Sequence, residues 1–580
     1  MGASGKKILR GKSNNFLEAK KKIKKTFKVF LSDERHYKLS VFLYRIKQLL
    51  NTEERKYIKN IALSKRICQP KETKAKVIIL GLRTFSTHNL SVFDKVLSDS
   101  LRHNGADAKV LICDNILESC DIRTIGDLPQ KVFCHKCKME RKQYKKMYGN
   151  DYLSFSQFIS LEEIEQARKI VSLLDDKDLI NFSYMDVNIS LHAIDSTIKY
   201  FRKSNFNPEN SRHLEVMRHN ILQGVISVKV AKNLVDAEKP THLISLHGCY
   251  VSWGPFYDYC KKNKIHVVRY SKAIHKIGYF AFVTYGRFAT IEDKNLWSDY
   301  REKELSLRQK EEVKEFLYKK KDGKTLDYKL YNTGKEKYAG DVSLQKIMNS
   351  NKCKKYVLYA NILWDANLEY SGSNIFKDVY DWMFCTIEYF AKLKNHYLLV
   401  KPHPGEASVA YTEKGVNEVI IEHFGKLPEN IVLIPKDYPI TSFDLMEKEC
   451  VGITYNGTTG LEHSFFQKPI LVGGDISYVD AGAAMKINSR QEYFNFIINP
   501  QPLYEYPRQN FDLIERYAYF YYFKLIVPIP FFKKDVWLGH CVDWDKLSDY
   551  ENFVRKDKVM NHIAASIIRK QAVVCPEDVF

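Results

Sequence analysis

Short apolar runs alternate with amphipathic stretches along the second half of the chain. The runs are rich in Ile, Leu, Val and Tyr, and their length is typical of strands that a parallel sheet buries on both faces. They predict strands at residues 356–360, 396–400, 431–434, 452–455 and 470–472. The stretches between them predict helices at residues 378–393, 417–424 and 441–449. This regular alternation indicates a doubly wound α/β sheet.

The first half shows a similar pattern. An apolar run at residues 75–82 ends at glycine, and a helix and a second strand follow. The remaining predicted strands lie at residues 109–113, 241–246 and 265–270. The predicted helices lie at residues 90–104, 161–173, 213–235 and 256–264. A Rossmann-like unit is therefore expected in the first half of the chain as well.

These patterns divide the chain of 580 residues, which is too long for a single core. We predict a basic helical region at residues 1–74, a Rossmann-like domain at 75–340 with a Cys-bearing insertion at 113–152, a second Rossmann-like domain at 341–500, and a C-terminal helical segment at 501–580 that packs back on the first domain.

The predicted strand at residues 452–455 stops at a turn rich in Gly and Thr, and a helical stretch follows. Backbone N–H groups at the start of a helix favour a phosphate, and two hydroxyls lie beside them. The predicted phosphate ligands are Gly457, Thr458, Thr459 and Gly460. Glu462 follows in the first helical turn, where its carboxylate can accept a hydrogen bond from a ribose hydroxyl. A second interpretation stays open, in which Thr458 only caps the helix.

A second strand end lies about fifty residues upstream, where two prolines forbid continuation of the strand at residues 396–400. Lys401 and His403 stand at this end and would project into the crevice where open α/β sheets bind ligands. A lone histidine is more often structural. The nearby Gly-Thr turn favours a role for both side chains in binding a nucleotide phosphate.

If the crevice is catalytic, a general base is expected from the first domain or the rim between the domains. His247 ends the predicted strand at residues 241–246 and is the first candidate. Glu406 and Asp365 are the competing candidates. Packing in a loop is an equally good explanation of His247, and Asp365 could cap a turn.

Charge is concentrated near the beginning of the chain. The formal net charge is +22, and residues 5–76 carry short lysine runs interleaved with apolar side chains. This composition is typical of a segment that lies on an anionic membrane surface. A solvated helical face or a nucleic-acid arm would look similar, but we expect no nucleic-acid partner because no such motif accompanies the charge. Neither a long apolar run nor the apolar core of a signal peptide is present, so a cytoplasmic protein, peripheral at the inner membrane, is expected.

Four of the twelve cysteines cluster with the spacing C-x6-C-x13-C-x2-C. Thiolates in two pairs can hold a structural zinc ion tetrahedrally. Cys113, Cys120, Cys134 and Cys137 are the predicted ligands. Free thiols in a reducing compartment are the other explanation. No cluster of carboxylates and histidines predicts a catalytic metal.

Three motifs together resemble a known group of enzymes. They are NILWDANLEYSG at residues 361–372, KPHPGE at 401–406 and YNGTTGLEHSFFQKPILVGG at 455–474. In combination they resemble the bacterial glycosyltransferases of capsule and surface-polysaccharide biosynthesis. A His-Pro motif followed by a Ser/Thr pair is also similar to Kdo transferases and bacterial sialyltransferases, which use CMP-sugars.

This resemblance implies the GT-B architecture, in which two Rossmann-like domains face a central cleft and the second binds the donor. It implies transfer of a sugar from a CMP-, UDP- or GDP-linked donor to a growing capsule or lipopolysaccharide-type glycan on a lipid-linked acceptor. No cofactor is then expected for catalysis besides the nucleotide-sugar substrate. Two alternatives stay open: a CDP-polyol-dependent polyol-phosphate transferase of the teichoic-acid type, and a non-enzymatic basic membrane-binding protein.

Overall fold

A computed structural model of the chain describes residues 39, 42, 58, 59, 61, 72–82, 88–117, 120, 130–149, 152–203, 206–273, 275–283, 294–325, 354–365, 373–408, 412, 414–448, 450–533 and 542–577. Most of the predicted basic region therefore lies outside the described residues, as does the end of the NILWDANLEYSG motif. Within the basic region, Ile58 and Ile61 are buried in the core of the first sheet.

The first sheet has the strand order of a Rossmann fold at its centre. Its strands are β1 (Ala75–Leu80), β2 (Ala106–Ile112), β3 (Tyr152–Ser154), β6 (His242–Leu246), β7 (His266–Lys272), β8 (Tyr279–Val283) and β14 (Ile526–Pro528). They lie in the order β3-β2-β1-β6-β7-β8-β14, and the first five are parallel. β8 and β14 are added antiparallel at one edge. A separate small hairpin consists of β4 (Ser183–Tyr184) and β5 (Val187–Asn188).

The second sheet is parallel throughout. Its strands are β9 (Lys354–Tyr359), β10 (His396–Lys401), β11 (Ile431–Leu433), β12 (Val451–Thr454) and β13 (Ile470–Val472). They lie in the order β11-β10-β9-β12-β13. The winding therefore reverses between β9 and β12, as it reverses between β1 and β6 in the first sheet.

Helices cover both faces of the sheets. In the first half they are α1 (His88–His103), α2 (Gln130–Tyr148), α3 (Leu161–Ser172), α4 (Ile189–Phe201), α5 (Ser211–Glu238), α6 (Tyr250–Lys262), α7 (Lys294–Arg301) and α8 (Leu307–Lys321). In the second half they are α9 (Val379–Ala391), α10 (Gly405–Ser408), α11 (Val416–Phe424), α12 (Ser442–Met446), α13 (Thr459–Phe465), α14 (Ser477–Asp480), α15 (Arg490–Ile498), α16 (Gln501–Gln509), α17 (Phe511–Tyr519), α18 (Tyr550–Lys556) and α19 (Lys558–Ile568).

The first sheet separates two apolar cores. Along β1, Val77 and Ile79 enter one core, whereas Ile78 and Leu80 enter the other, because alternate side chains of a strand point to opposite faces. The C-terminal helices α18 and α19 complete the first of these cores against α1. A sheet buried on both faces explains why its strands consist of almost uninterrupted apolar residues.

The predicted fold class, α/β with two Rossmann-like units, is confirmed by these two sheets. Some elements differ from the sequence prediction. The Cys-bearing segment at residues 113–152 is the crossover from β2 through α2 to β3, not an insertion into the domain. The C-terminal segment, expected to be helical, also contributes β14 to the first sheet. None of the described helices is long and apolar enough to cross a bilayer.

Candidate active site

The crevice of the second sheet lies where the winding reverses. Open α/β sheets bind ligands outside the carboxyl ends of the strands at this switch point. Asn361 follows β9 and Asn456 follows β12, and both are half-buried. The side-chain amide of Asn361 donates a hydrogen bond of 2.5 Å to Oδ1 of Asn456. The predicted Gly-Thr turn therefore begins at the switch point.

The turn after β12 carries two threonine hydroxyls at its junction with α13. Thr458 immediately precedes α13, but its side chain makes no capping hydrogen bond. Its Oγ1 lies 3.5 Å from Oε1 of Glu462. The carbonyl of Gly457 accepts a hydrogen bond of 3.0 Å from the hydroxyl of Tyr478. Thr458 and Thr459 are half-buried, and Thr458 occupies the N-cap position without the side-chain hydrogen bond of a capping residue.

Gly460 and Glu462 are buried, whereas the preceding residues of the turn are half-buried. A Cβ atom at Gly460 would overlap the hydroxyl of Tyr478, so glycine is required for this close contact. Glu462 is 4% exposed and forms an ion pair with Lys320 of α8, with Nζ and Oε1 2.7 Å apart. A carboxylate has about four acceptor positions. The ion pair with Lys320 therefore leaves acceptor positions for a ribose hydroxyl. The ribose contact of Glu462 stays a prediction.

Lys401 and His403 lie at the adjacent strand end. Lys401 is the last residue of β10 and is 5% exposed. His403 is half-buried, and its Nδ1 accepts a hydrogen bond of 3.0 Å from the N–H of Gly405. A neutral His403 therefore carries its proton on Nε2. That nitrogen is a hydrogen-bond donor, as a phosphate ligand must be.

Glu406 is placed differently from the other candidates. It is 2% exposed, and its Oε1 lies 3.4 Å from the N–H of Val416 at the start of α11. A Cβ atom at Gly415 would overlap Oε2 of the same carboxyl. Burial raises the pKa of Glu406 to about 7. These contacts give Glu406 a structural partner at a helix start, where a carboxylate is favoured.

His247 begins a strained turn at the carboxyl end of β6. The φ angles are +20° at His247, +71° at Gly248 and +63° at Tyr250. A residue other than glycine in the left-handed region costs about 1–3 kcal/mol, and such residues concentrate at functional sites. Nδ1 of His247 lies 3.0 Å from Sγ of Cys249. Its ring packs edge-on against Trp253, with centroids 4.8 Å apart.

A hydrogen bond links the two crevices. The hydroxyl of Tyr250, beside His247 in the first half, lies 2.5 Å from Oδ1 of Asp365, which follows β9 in the second half. Burial, followed by the negative charge of Asp365, raises the pKa of Tyr250. The phenol therefore keeps its proton and donates a hydrogen bond to Asp365. The switch points of the two sheets face each other across this contact.

None of the four cysteines of the predicted zinc site forms a disulfide bond. Cys134 and Cys137 lie one turn apart on α2, and Cys113 follows β2. Burial is the main cause that raises the pKa of Cys113 to about 11, and the thiols of Cys134 and Cys137 are close enough to contribute. Among the residues that the structure describes, no group of three or more Cys, His, Asp or Glu side chains is arranged to hold a metal ion. The zinc site stays a prediction.

Several site residues escaped the sequence analysis. Lys320 reaches Glu462 across 142 positions of sequence, and it lies in a lysine-rich stretch that carries no distinguishing signal. Asn361 is the first residue of the NILWDANLEYSG motif. Its hydrogen bond with Asn456, however, depends on the strand order of the second sheet. No sequence pattern marks Cys249 as a neighbour of the His247 ring.

Two sheets of Rossmann strand order, with crevices that face each other, define the GT-B type of α/β architecture. No protein-family model matches the chain. A search of curated proteins likewise gives no match.

Comparison with solved structures gives three representative likenesses. KpsC of Thermosulfurimonas dismutans, a beta Kdo 2,4 transferase, is 13% identical with a TM-score of 0.29, and the match covers 44% of this chain and 79% of that one. UDP-GlcNAc 2-epimerase of Neisseria meningitidis is 13% identical with a TM-score of 0.23, covering 77% and 97%. The spinosyn rhamnosyltransferase SpnG is 10% identical with a TM-score of 0.22, covering 76% and 96%. A Kdo transferase and a glycosyltransferase are thus among the structural neighbours, whereas the fold assignment itself depends on the strand orders.

Proposed function

We propose that this protein is a glycosyltransferase that moves a sugar from a nucleotide-sugar donor to a surface glycan. The observation that carries the proposal is the hydrogen bond between Tyr250 and Asp365. It sets the switch-point crevice of one sheet against that of the other, so a donor in one crevice and an acceptor in the other would meet between them.

The donor would bind in the crevice of the second sheet. Departure of the nucleotide places negative charge on its phosphate, and fixed cations and N–H dipoles stabilise that charge. Lys401 provides a buried ammonium at the end of β10, and His403 provides an Nε2–H donor. The hydroxyls of Thr458 and Thr459 and the turn from Gly457 to Gly460 complete the set.

The acceptor hydroxyl would lose its proton to His247. This imidazole stands at the switch point of the first sheet on a strained turn, opposite the proposed donor crevice. Glu406 is buried against the start of α11, and Asp365 accepts from Tyr250, so each already has a positioning partner. A single base on the acceptor side corresponds to an inverting reaction, with the leaving phosphate stabilised on the opposite side.

A lipid-linked glycan at the inner membrane is the acceptor that we propose. The support is the net charge of +22 and the lysine runs near the beginning of the chain, since basic segments bind anionic lipid surfaces. The enzyme would then work at the membrane surface, on the cytoplasmic side, as a peripheral protein.

A thermal-shift panel of CMP, CDP, UDP and GDP tests the donor site. We expect one nucleotide to stabilise the parent by roughly 2.7 kcal/mol at a hundredfold excess over its dissociation constant. The variant Thr458→Ala/Thr459→Ala should lose most of this response. The matched control Ser172→Ala/Ser548→Ala also removes two hydroxyls, from exposed positions, and should respond like the parent.

The identity of the stabilising nucleotide narrows the donor class. If no nucleotide stabilises the parent, or if the Thr458→Ala/Thr459→Ala variant responds as strongly as the control, the proposed donor site is wrong. Release of the same nucleotide from its sugar-linked form, on addition of a glycan acceptor, would then identify the transfer reaction.

A further inference from the structure

Two lysines meet where the two halves of the molecule touch. Lys203 follows the end of α4 in the first half, and Lys414 precedes α11 in the second. Their main chains pair as a parallel β-bridge. Both side chains are half-buried. The fold therefore holds two ammonium-bearing residues side by side at the junction.

His213 adds a third basic group at this junction. It is 5% exposed, and its ring stacks on Phe201 with centroids 4.5 Å apart. Its Nδ1 accepts a hydrogen bond of 3.1 Å from the N–H of Asn207, so a neutral ring carries its proton on Nε2. Burial, followed by the charges of Lys203 and Lys414, lowers the pKa of His213. The three groups thus lie within electrostatic reach of one another.

The nearby acidic group only partly offsets this charge. Glu422 forms an ion pair with Lys414, but its side chain is 62% exposed. Burial and the charge of Lys203 still lower the pKa of Lys414. Like charges held together at a partly buried site repel each other, and a bound anion removes that repulsion.

The basic groups continue toward the turn at His247. Lys199 lies in the last turn of α4, four residues before Lys203, and its Nζ is 3.5 Å from the ring centroid of Tyr250. Tyr250 itself packs edge-on against His247, with centroids 5.8 Å apart. Lys199 therefore adds a basic group between the junction and the proposed base.

We propose that Lys203, Lys414 and His213 bind an anionic group, a phosphate or a carboxylate, of the acceptor. Ammonium groups and an imidazole N–H donate charge-assisted hydrogen bonds to either anion. The assignment to the acceptor rests on the proposed function, because it depends on His247 as the base. A phosphate would belong to a lipid carrier, and a carboxylate to an acidic sugar of the glycan.

Thermal-shift titrations with inorganic phosphate and with sodium glucuronate test the site, against sodium chloride at matched ionic strength. The variant Lys203→Gln/Lys414→Gln removes both ammonium groups, and Lys203→Arg/Lys414→Arg keeps the charge. Lys261→Gln/Lys426→Gln is the matched control, since it removes one exposed lysine from each half. Thr458→Ala/Thr459→Ala reports anion binding in the donor crevice.

We expect phosphate or glucuronate to stabilise the parent, the arginine variant, the control and the threonine variant. In Lys203→Gln/Lys414→Gln the apparent dissociation constant should rise by at least about tenfold, as expected for loss of a charge-assisted hydrogen bond. A stronger response to phosphate would indicate a lipid phosphate, and a stronger response to glucuronate an acidic sugar.

An unchanged response in Lys203→Gln/Lys414→Gln, or the absence of any response in the parent, would overturn the proposal. A response lost only in the threonine variant would also overturn it, because the anion would then occupy the donor crevice. If the lysine variant loses its response while no nucleotide stabilises the parent, the anion site stands and the proposed donor site fails.

Discussion

Residues at the two crevices differ in how strongly their neighbours fix their conformation and their chemistry. His247 and Tyr250 adopt positive φ angles, which the surrounding structure must hold in place because the sequence alone does not favour them. Glu406 has the chemistry of a base but is buried against Gly415 and Val416. The residue types of His247, Glu406 and Asp365 suggest three candidate bases. The surroundings of each side chain in the structure distinguish them.

Asp94 provides a prediction about pH. It is buried below Gly81 at the end of β1, and the hydroxyl of Tyr270 donates to it over 2.7 Å. Burial raises the pKa of Asp94 from 3.8 to about 7. Between these values the folded protein keeps a proton that the unfolded chain has released. The contribution of Asp94 to stability is therefore present below pH 4 and is lost as the pH rises to 7.

Asp94→Asn keeps the size of the side chain and an acceptor oxygen but does not titrate. Relative to this variant, we expect the free energy of unfolding of the parent to fall by up to about 1.4 kcal/mol per pH unit across that window. Urea denaturation of both proteins between pH 4 and pH 8 measures the difference. Parallel pH profiles would contradict the raised pKa.

At the scale of elements, packing between helices supports the turn of residues 457–460, which we propose binds the donor. The sequence predicts the strand, the turn and the helix of residues 451–465 from local pattern, and the structure contains β12 and α13 there. It does not predict that α8, from the connection between the sheets, packs beside α13. Lys320 and Lys321 are neighbours on α8, yet Lys320 pairs with the buried Glu462 and Lys321 with the exposed Glu447.

This pair of lysines gives a matched experiment. Lys320→Met leaves the Glu462 carboxylate buried without its cation, so we expect a loss of about 3–5 kcal/mol in the free energy of unfolding. Lys321→Met breaks an ion pair of similar length at the surface and should cost less than about 1 kcal/mol. Chemical denaturation measures both. Equal effects would show that burial of the Lys320 pair is unimportant.

At the scale of the whole molecule, the C-terminal segment completes the first sheet and one of its cores. β14 joins the antiparallel edge of the first sheet, and α18 and α19 pack on α1. Ile563 of α19 is fully buried in the same core as Val77 of β1. Residues from the two ends of the described chain therefore form one core, and the first sheet depends on both.

We expect Ile563→Ala to lower the free energy of unfolding by about 2–5 kcal/mol, as a large-to-small change in a core does. Amide hydrogen exchange should show reduced protection in β1 and β2, far away in sequence. The control Ile421→Ala alters a residue that is 53% exposed and should change neither quantity noticeably. Undiminished protection of β1 in Ile563→Ala would separate α19 from the first core.

The sequence by itself determined the strands, helices and turns whose signals are local. Apolar runs marked the parallel strands, and the residues after them, His247, Lys401 and Thr458, marked the ends that meet a crevice. These signals are local because burial on both faces constrains each strand, and prolines or glycines end it.

Only the tertiary structure decided which of these ends come together. The facing of Tyr250 and Asp365, the pairing of Lys320 with Glu462 and the bridge between Lys203 and Lys414 each join residues more than a hundred positions apart. Such contacts follow from strand order and from the packing of connecting helices. The pattern of apolar residues does not predict these contacts, because each partner is compatible with many neighbours until the chain has folded.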